Sequence, residues 1–286
     1  MKTFSVWLYQ HRRGRLALLL TAPMLWLVVA YLGSLATMLV SAFWSVDTFT
    51  GKLVKQLTFN NFSLLFTNHV YRDIALRSIV VALLVTVIDG LLALPIALFL
   101  AKVLPIRFRN FAVVLIVLPL WSSYLVKTYA WRTMFSNSGV LAWALKPLGV
   151  TPPSYGLLAT TLTLAYLWLP YMILPIYAGL ERIPDSLLEA SGDLGASAGK
   201  TFQNIVMPIL YPAVIAGSIF TFSLSLGDYI VVKIVGGKTQ LFANVIYDNI
   251  GTAGNLPFAA AAAIFPIVTV LGYLFFVRRS GALENF

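Results

Sequence analysis

The sequence predicts an all-α transmembrane protein of six spans, and three observations carry that prediction. Of its 286 residues 59% are hydrophobic, only 10% are charged, and the apolar residues gather in six long runs. Soluble domains average about 45 to 50% apolar and about 25% charged, so a core of this size has no means of hiding the excess from water. Each run has the roughly 17 to 25 residues that a helix needs to cross a hydrocarbon layer of about 30 Å.

In chain order, residues 1–15 form a basic leader with Lys2, Arg12, Arg13 and Arg15. The first span follows at about 16–43, too long an apolar run for the core of a cleaved signal peptide. The others are expected at about 79–101, 111–131, 156–177, 209–232 and 258–277, so that residues 16–286 make a single transmembrane domain. Pro23, Pro95, Pro119, Pro170, Pro175, Pro212 and Pro266 fall within these runs and suit helices that bend. Between the first two spans, Val46 to Ser78 leaves room for a short surface helix, and its Asn61-Phe62-Ser63 triplet reads as a chance match to a glycosylation site. Gly139 to Leu148, rich in Leu, Ala and Trp and stopped by Pro147, suits a helix lying along the membrane interface.

Charge sets the orientation. Eleven Lys and Arg fall in the leader, in 102–110, in 181–207 and in the tail, against seven in the alternate segments. Both termini are therefore expected on the cytoplasmic side of the membrane. The net charge of +10 is this bias, and no nucleic-acid partner is expected. Cysteine is absent and the histidines are His11 and His69, which excludes disulfides, thiolate or three-histidine zinc sites and iron-sulfur clusters. The chain holds no His-Glu-x-x-His, no Gly-x-Ser-x-Gly and no carboxylate pair at helical spacing within a run. It is expected to be a transport subunit with no catalytic or metal site of its own.

Residues 181–208 hold four of the ten acids. Pro184 suits the first turn of a helix and Gly195 the left-handed position just past its end, which puts Asp185, Glu189 and Asp193 on one stripe. A second short helix is expected from about Ala198 to Pro208, where the fifth span opens. Between the two, Ala190, Ser191, Gly192, Gly195, Ala196, Ser197, Ala198 and Gly199 leave little side-chain bulk, the shape of a segment that enters another protein's cleft. Gly195 to Thr201 looks like a phosphate-binding loop but has three residues between its glycines where that motif needs four, and no strand precedes it. If ATP supplies the energy, a partner binds it.

The segment resembles the EAA signature of ATP-binding-cassette (ABC) importer permeases: Glu-Ala-Ala, three residues, Gly, nine residues, then Ile, one residue, Leu-Pro. Glu189, Ala190, Gly195, Ile205 and Pro208 stand at matching positions, while Ser191 and Met207 replace the second Ala and the Leu. The resemblance implies a six-helix type I permease with cytoplasmic coupling helices that dock on a separate ATPase. Among these coupling residues Glu189, with Ala190 beside it, would anchor the motif, Gly195 would make its turn, and Ile205 with Pro208 would tie it to the fifth span. It also implies the partners: two ATPase subunits that use ATP, a second related permease and a periplasmic substrate-binding protein.

The similarity runs along nearly the whole chain and is nearest to permeases of the spermidine/putrescine type, through Leu57 to Phe62 with Tyr71, Leu118 to Tyr124 with Tyr129, and Ser225 to Tyr229 with Gly236-Gly237. A polyamine is thus the expected cargo, with another small solute, or a self-contained secondary transporter, as the alternatives. Polar groups within spans are costly and mark the candidate path. Asp228 and Tyr229 offer an amine a charge and a ring, and Trp121, Ser122 and Tyr124 offer the same kind of surface. The aromatic residues also suit a lipid-interface belt. Asp89, midway along the second run, either pairs with a neighbouring helix or lines the path. Lys127 and Lys233 are expected to snorkel to the interface.

Overall fold

The computed structural model describes residues 12–47, 49–149 and 153–279. Among the described residues all of the regular structure is helical except one pair of two-residue strands. The long helices are α1 (Leu19–Ser41), α3 (His69–Val103), α7 (Leu157–Glu181), α9 (Ala198–Leu226) and α12 (Leu256–Arg279). Among the described residues five helices are long and apolar enough to cross a membrane, or six if the pair α4 (Ile106–Trp121) and α5 (Tyr124–Met134) makes one span. Shorter helices are α2 (Asn60–Thr67), α6 (Val140–Leu145), α8 (Asp185–Asp193), α10 (Ile230–Val235) and α11 (Phe242–Ile250). Two units result: the chain up to Thr67 with Asn249–Ile264, and Asn68–Asp248 with the residues from Phe265 onward. Most of the basic leader and the end of the tail lie outside the described residues.

In the first unit α1 leads into a hairpin in which β1 (Ser45–Val46) pairs antiparallel with β2 (Leu53–Val54). Asp47 accepts the amides of Phe49 and Thr50 at 2.9 and 2.8 Å, and these bonds hold its carboxyl below the usual carboxylate range. The surface helix expected between the first spans is α2. Its Asn61 is buried, and the side-chain amide donates to the carbonyls of Ala42 and Trp44, both at 2.8 Å, so the triplet's asparagine is a brace within the fold. Ala42, Ala260 and Ala261 pack closely here because none carries more than a methyl.

In the second unit α3, α7 and α9 form the central three-helix core. Asn68 caps α3 by accepting from Val70 N–H at 2.9 Å. Small residues set the helix approach: a methyl on Gly217 would lie 2.5 Å from Met172 Sδ, and one on Gly179 2.9 Å from Ala213. Toward the end where α3 stops and α8 begins, the core is Ala93, Ala97, Met172, Ile176, Leu180 and Leu210; toward the other it is Val81, Val85, Leu164, Leu167, Val231 and Val235. Much of the outer helix surface remains apolar and exposed, including Leu91, Val114, Leu118 and Val268, as suits helices that face lipid.

Three expectations are corrected. The third span is not one helix over 111–131: it breaks at Ser122 and Ser123, which are extended, and α5 leaves α4 at 90°. The fifth helix does not run to residue 232; it ends at Leu226, and Gly227 to Tyr229 separate it from α10. The second coupling helix does not stop at Pro208 but runs on as α9. A π turn at Phe202–Val206 loosens the backbone just before this proline, which lacks an N–H and crowds the preceding turn. Within Gly139 to Leu148 the expected helix is α6, followed by one 3-10 turn, Lys146–Leu148.

Candidate functional site

One candidate region is the loop 181–208. Pro184, with φ −63° and ψ 139°, sits just ahead of α8 rather than inside its first turn. Gly195 takes φ +76°; its N–H donates to Gly192 O at 2.8 Å, and Ala196 N–H reaches back to Ser191 O at 3.0 Å. This is the Schellman stop, which favours glycine because a side chain is strained at positive φ. Ser191, where the signature has alanine, is buried and its hydroxyl bonds that of Thr201 at 2.8 Å, fastening α8 to the first turn of α9. Glu189, Ala190, Asp193 and Leu194 are exposed, Leu194 at 88%. Ile205 lies in the π turn and Pro208 just after it. The loop thus presents an acidic stripe and an uncovered leucine at a rigid turn.

Lys102, missed by sequence reasoning, ties this loop to the end of α3. Its Nζ donates to Ile183 O and to Asp185 Oδ1, both at 2.7 Å. The hydrogen bond from Lys102, with its charge, holds the Asp185 carboxyl below the ordinary value of 3.8. Nearby, the Tyr177 hydroxyl donates to Glu181 one turn later in α7.

The other region is the pair of helix breaks at the far end of α9. At the first, Pro119 O accepts from Ser122 Oγ at 2.9 Å and from Lys127 Nζ at 3.0 Å. Lys127 therefore caps a broken helix end, where the exposed carbonyls favour a cation, and does not snorkel. At the second, Asp228 Oδ1 accepts Val231 N–H at 2.9 Å and starts α10. Tyr124, first residue of α5, donates its hydroxyl to Asp228 Oδ2. Tyr124 also stacks on Trp168 of α7 at 5.9 Å.

Beside the second break lies an open pocket of about 300 Å3, lined by Tyr124, Trp168, Ser223, Leu224, Gly227, Asp228, Tyr229 and Ile230. One carboxylate and three large aromatic rings line it, and no Lys or Arg does. Such a surface attracts an ammonium by charge and by the negative faces of the rings. The structure thus brings Tyr124, Asp228 and Tyr229 together and adds Trp168, whose indole Nε1 is buried without a partner among the described residues. Trp121 and Ser122 do not line this pocket; Trp121 is 88% exposed. Asp89 is elsewhere, fully buried in α3, and neither carboxylate oxygen has a partner among the described residues, so the expected pairing to a neighbouring helix is not there.

Lys233 also departs from its expected snorkelling. Its Nζ lies 2.5 Å from Asp248 Oδ1 and 4.1 Å from the centre of the Tyr247 ring. Tyr247 in turn stacks on Tyr229 at 4.3 Å.

Known proteins with similar sequences and folds agree with this architecture. The chain is 42% identical to the inner membrane ABC transporter permease protein YdcU of Escherichia coli K12, over 94% of this chain and 90% of that one. It is 33% identical to the spermidine/putrescine transport system permease protein PotB of the same organism, over 80% and 84%, and 31% identical to PotB of Haemophilus influenzae, over 80% and 81%. In fold it is similar to a chain of a bacterial ABC transporter that imports the acidic polysaccharide alginate, with a TM-score of 0.69 at 17% identity, covering 96% of this chain and 99% of that one. A chain of the inward-facing MetNI methionine ABC transporter gives a TM-score of 0.58 at 14% identity, covering 78% and 97%. Residues 16–279 match the family profile throughout. The chain belongs to the binding-protein-dependent transport system inner membrane components, the multi-pass permease subunits of ABC importers.

Proposed function

We propose that this permease passes a small organic cation, a polyamine such as spermidine or putrescine, through the membrane when a partner ATPase hydrolyses ATP. The observation that carries the reading is Asp228, a carboxylate held at a pocket wall by Tyr124 and Val231 N–H, facing aromatic rings with no lining cation. The relatives named for spermidine and putrescine transport support the cargo class. YdcU, more similar overall, carries a name that specifies no solute.

In this reading α8 and the first turn of α9 are the coupling element. Glu189 and Ala190 anchor it in a groove of the ATPase, Leu194 fills that groove beside them, and Gly195 sets the turn. Ser191 and Thr201 make the two limbs one body, and Ile205 with Pro208 passes its motion into α9. The assembly is two ATPase copies, this chain, a related permease and a periplasmic binding protein. One solved fold neighbour is described in complex with an alginate pentasaccharide-bound periplasmic protein. Both termini lie in the cytoplasm, residues 16–286 act as one transmembrane domain, and ATP is bound by the partner alone.

The test is reconstitution of the assembled transporter in liposomes with labelled putrescine and spermidine. ATP-dependent uptake of either, competed by the other and not by a neutral sugar, is expected. Uptake of the sugar with no uptake of either amine would overturn the cargo assignment.

A further inference from the structure

Beside the Asp228 pocket the chain holds an ammonium of its own on an acid and a ring. Lys233 Nζ sits 2.5 Å from Asp248 Oδ1 and 4.1 Å from the Tyr247 ring centre. This pairing repeats the chemistry of the pocket with one difference, that its cation is already present. The two sets touch: Tyr229 lines the pocket and stacks on Tyr247 at 4.3 Å with 19° between the rings. Asn244 fixes the contact, donating from Nδ2 to Tyr229 O at 3.0 Å and accepting Leu241 N–H at 3.3 Å. Asp228-Tyr229 and Tyr247-Asp248 therefore form a continuous run of acid, ring, ring, acid.

We propose that Tyr247 and Asp248 are a second ammonium subsite, covered at rest by Lys233 and opened when a cargo carrying a second amine displaces it. This rests on the reading of Asp228 as an amine site. Lys233 is suited to leave. Its side chain and that of Asp248 are 37% and 38% exposed, so this chain covers the pair only in part and leaves the ammonium room to move. Exchange keeps the charge on Asp248 balanced, since one ammonium replaces another there. Lys233 starts one turn after Tyr229, its N–H bonded to Tyr229 O at 3.1 Å, so its tether returns it to the ring once the cargo moves on. A cargo with a single amine fills the Asp228 pocket and leaves Lys233 in place. The subsite thus selects elongated cations with two or more charges.

The experiment measures binding of putrescine, with two amines, and butylamine, with one, to the purified complete transporter by calorimetry. Lys233→Gln is expected to tighten putrescine about five-fold and leave butylamine unchanged. Asp248→Asn is expected to weaken putrescine about five-fold, again without effect on butylamine. Asp228→Asn is expected to weaken both. The opposite signs at positions 233 and 248 guard against a folding defect, which weakens every ligand. If Asp228→Asn acts but the other two variants leave the ratio of the two amines unchanged, the second subsite is wrong and the first stands. If the unaltered transporter and all variants bind neither amine, the reading of Asp228 falls and this subsite with it.

Discussion

The Tyr124 hydroxyl donates to the Asp228 carboxylate, and so joins the two points at which the long helices of this chain break. Tyr124 begins α5 after a 90° turn, and Asp228 lies between the end of α9 and the start of α10. Each break frees backbone groups that must find partners in a dry surrounding. Ser122 and Lys127 satisfy the first break, Asp228 the second, and the Tyr124 hydroxyl links them.

Tyr124→Phe should therefore loosen both breaks at once. Losing a hydrogen bond to a buried carboxylate costs about 1.5 to 3 kcal/mol. The purified transporter should melt several degrees lower, and hydrogen exchange should quicken in both α5 and α10. Faster exchange confined to α5 would mean that the breaks are independent.

At Gly195 strain and bulk separate. A methyl added there meets nothing within 4 Å, so Gly195→Ala suffers only the positive φ, a cost of about 1 to 2 kcal/mol. Gly195→Leu carries the same strain and places a large side chain on the face proposed to enter the ATPase. Uptake and ATPase association should fall much further with Leu than with Ala. Equal effects of the two would remove the loop from the interface.

Lys102 is the positioning residue for that loop. Lys102→Met removes both 2.7 Å contacts to Ile183 and Asp185 while keeping the stem. ATPase association should persist, and more ATP should be hydrolysed per cargo molecule moved. An unchanged ratio would show that α3 takes no push from this loop.

The same contact fixes a pH window. The Asp185 carboxyl is held below 3.8 when folded, so its contribution is present above that ordinary value and is lost as pH falls through the lowered one. Between about pH 5 and 8 the ratio of ATP hydrolysed to cargo moved should not vary through this contact. A change across that range that disappears in Asp185→Asn would contradict the assignment.

Asp89 is a separate matter. A buried carboxyl without a hydrogen bond costs about 1 to 3 kcal/mol in desolvation, which an apolar replacement of similar size removes. Asp89→Leu should raise the melting temperature and leave uptake intact. A loss of uptake at unchanged stability would instead place Asp89 on the path.

The sequence made the membrane class, the loop and its glycine legible because each depends on local rules: run length, small residues, and a positive φ that only glycine takes freely. Asp228 and Tyr229 were legible because a charge within an apolar run needs a reason. The bend at Ser122 was not, since residues 111–131 have the length of one span, and α5 packs against α10, about 100 residues later in the chain. Trp168 stood in a run of leucines, where a ring is ordinarily core; only Tyr124 stacked on it makes it a wall of the pocket. Lys102 meets Asp185 across 83 residues of chain, a separation at which no spacing rule operates. Lys127 and Lys233 looked alike near span ends, yet one caps a helix and the other covers a ring and an acid.

ATP-driven spermidine uptake by the reconstituted transporter carrying Asp228→Asn shows whether the cargo's charge meets Asp228. Asparagine keeps an oxygen for Val231 N–H and a group for Tyr124, so the local fold is preserved while the charge is removed. A charged contact of about 1.5 to 3 kcal/mol predicts a loss of ten-fold or more in spermidine uptake, with assembly and basal ATP hydrolysis unchanged. Uptake equal to that of the unaltered protein would place Asp228 off the cargo's path.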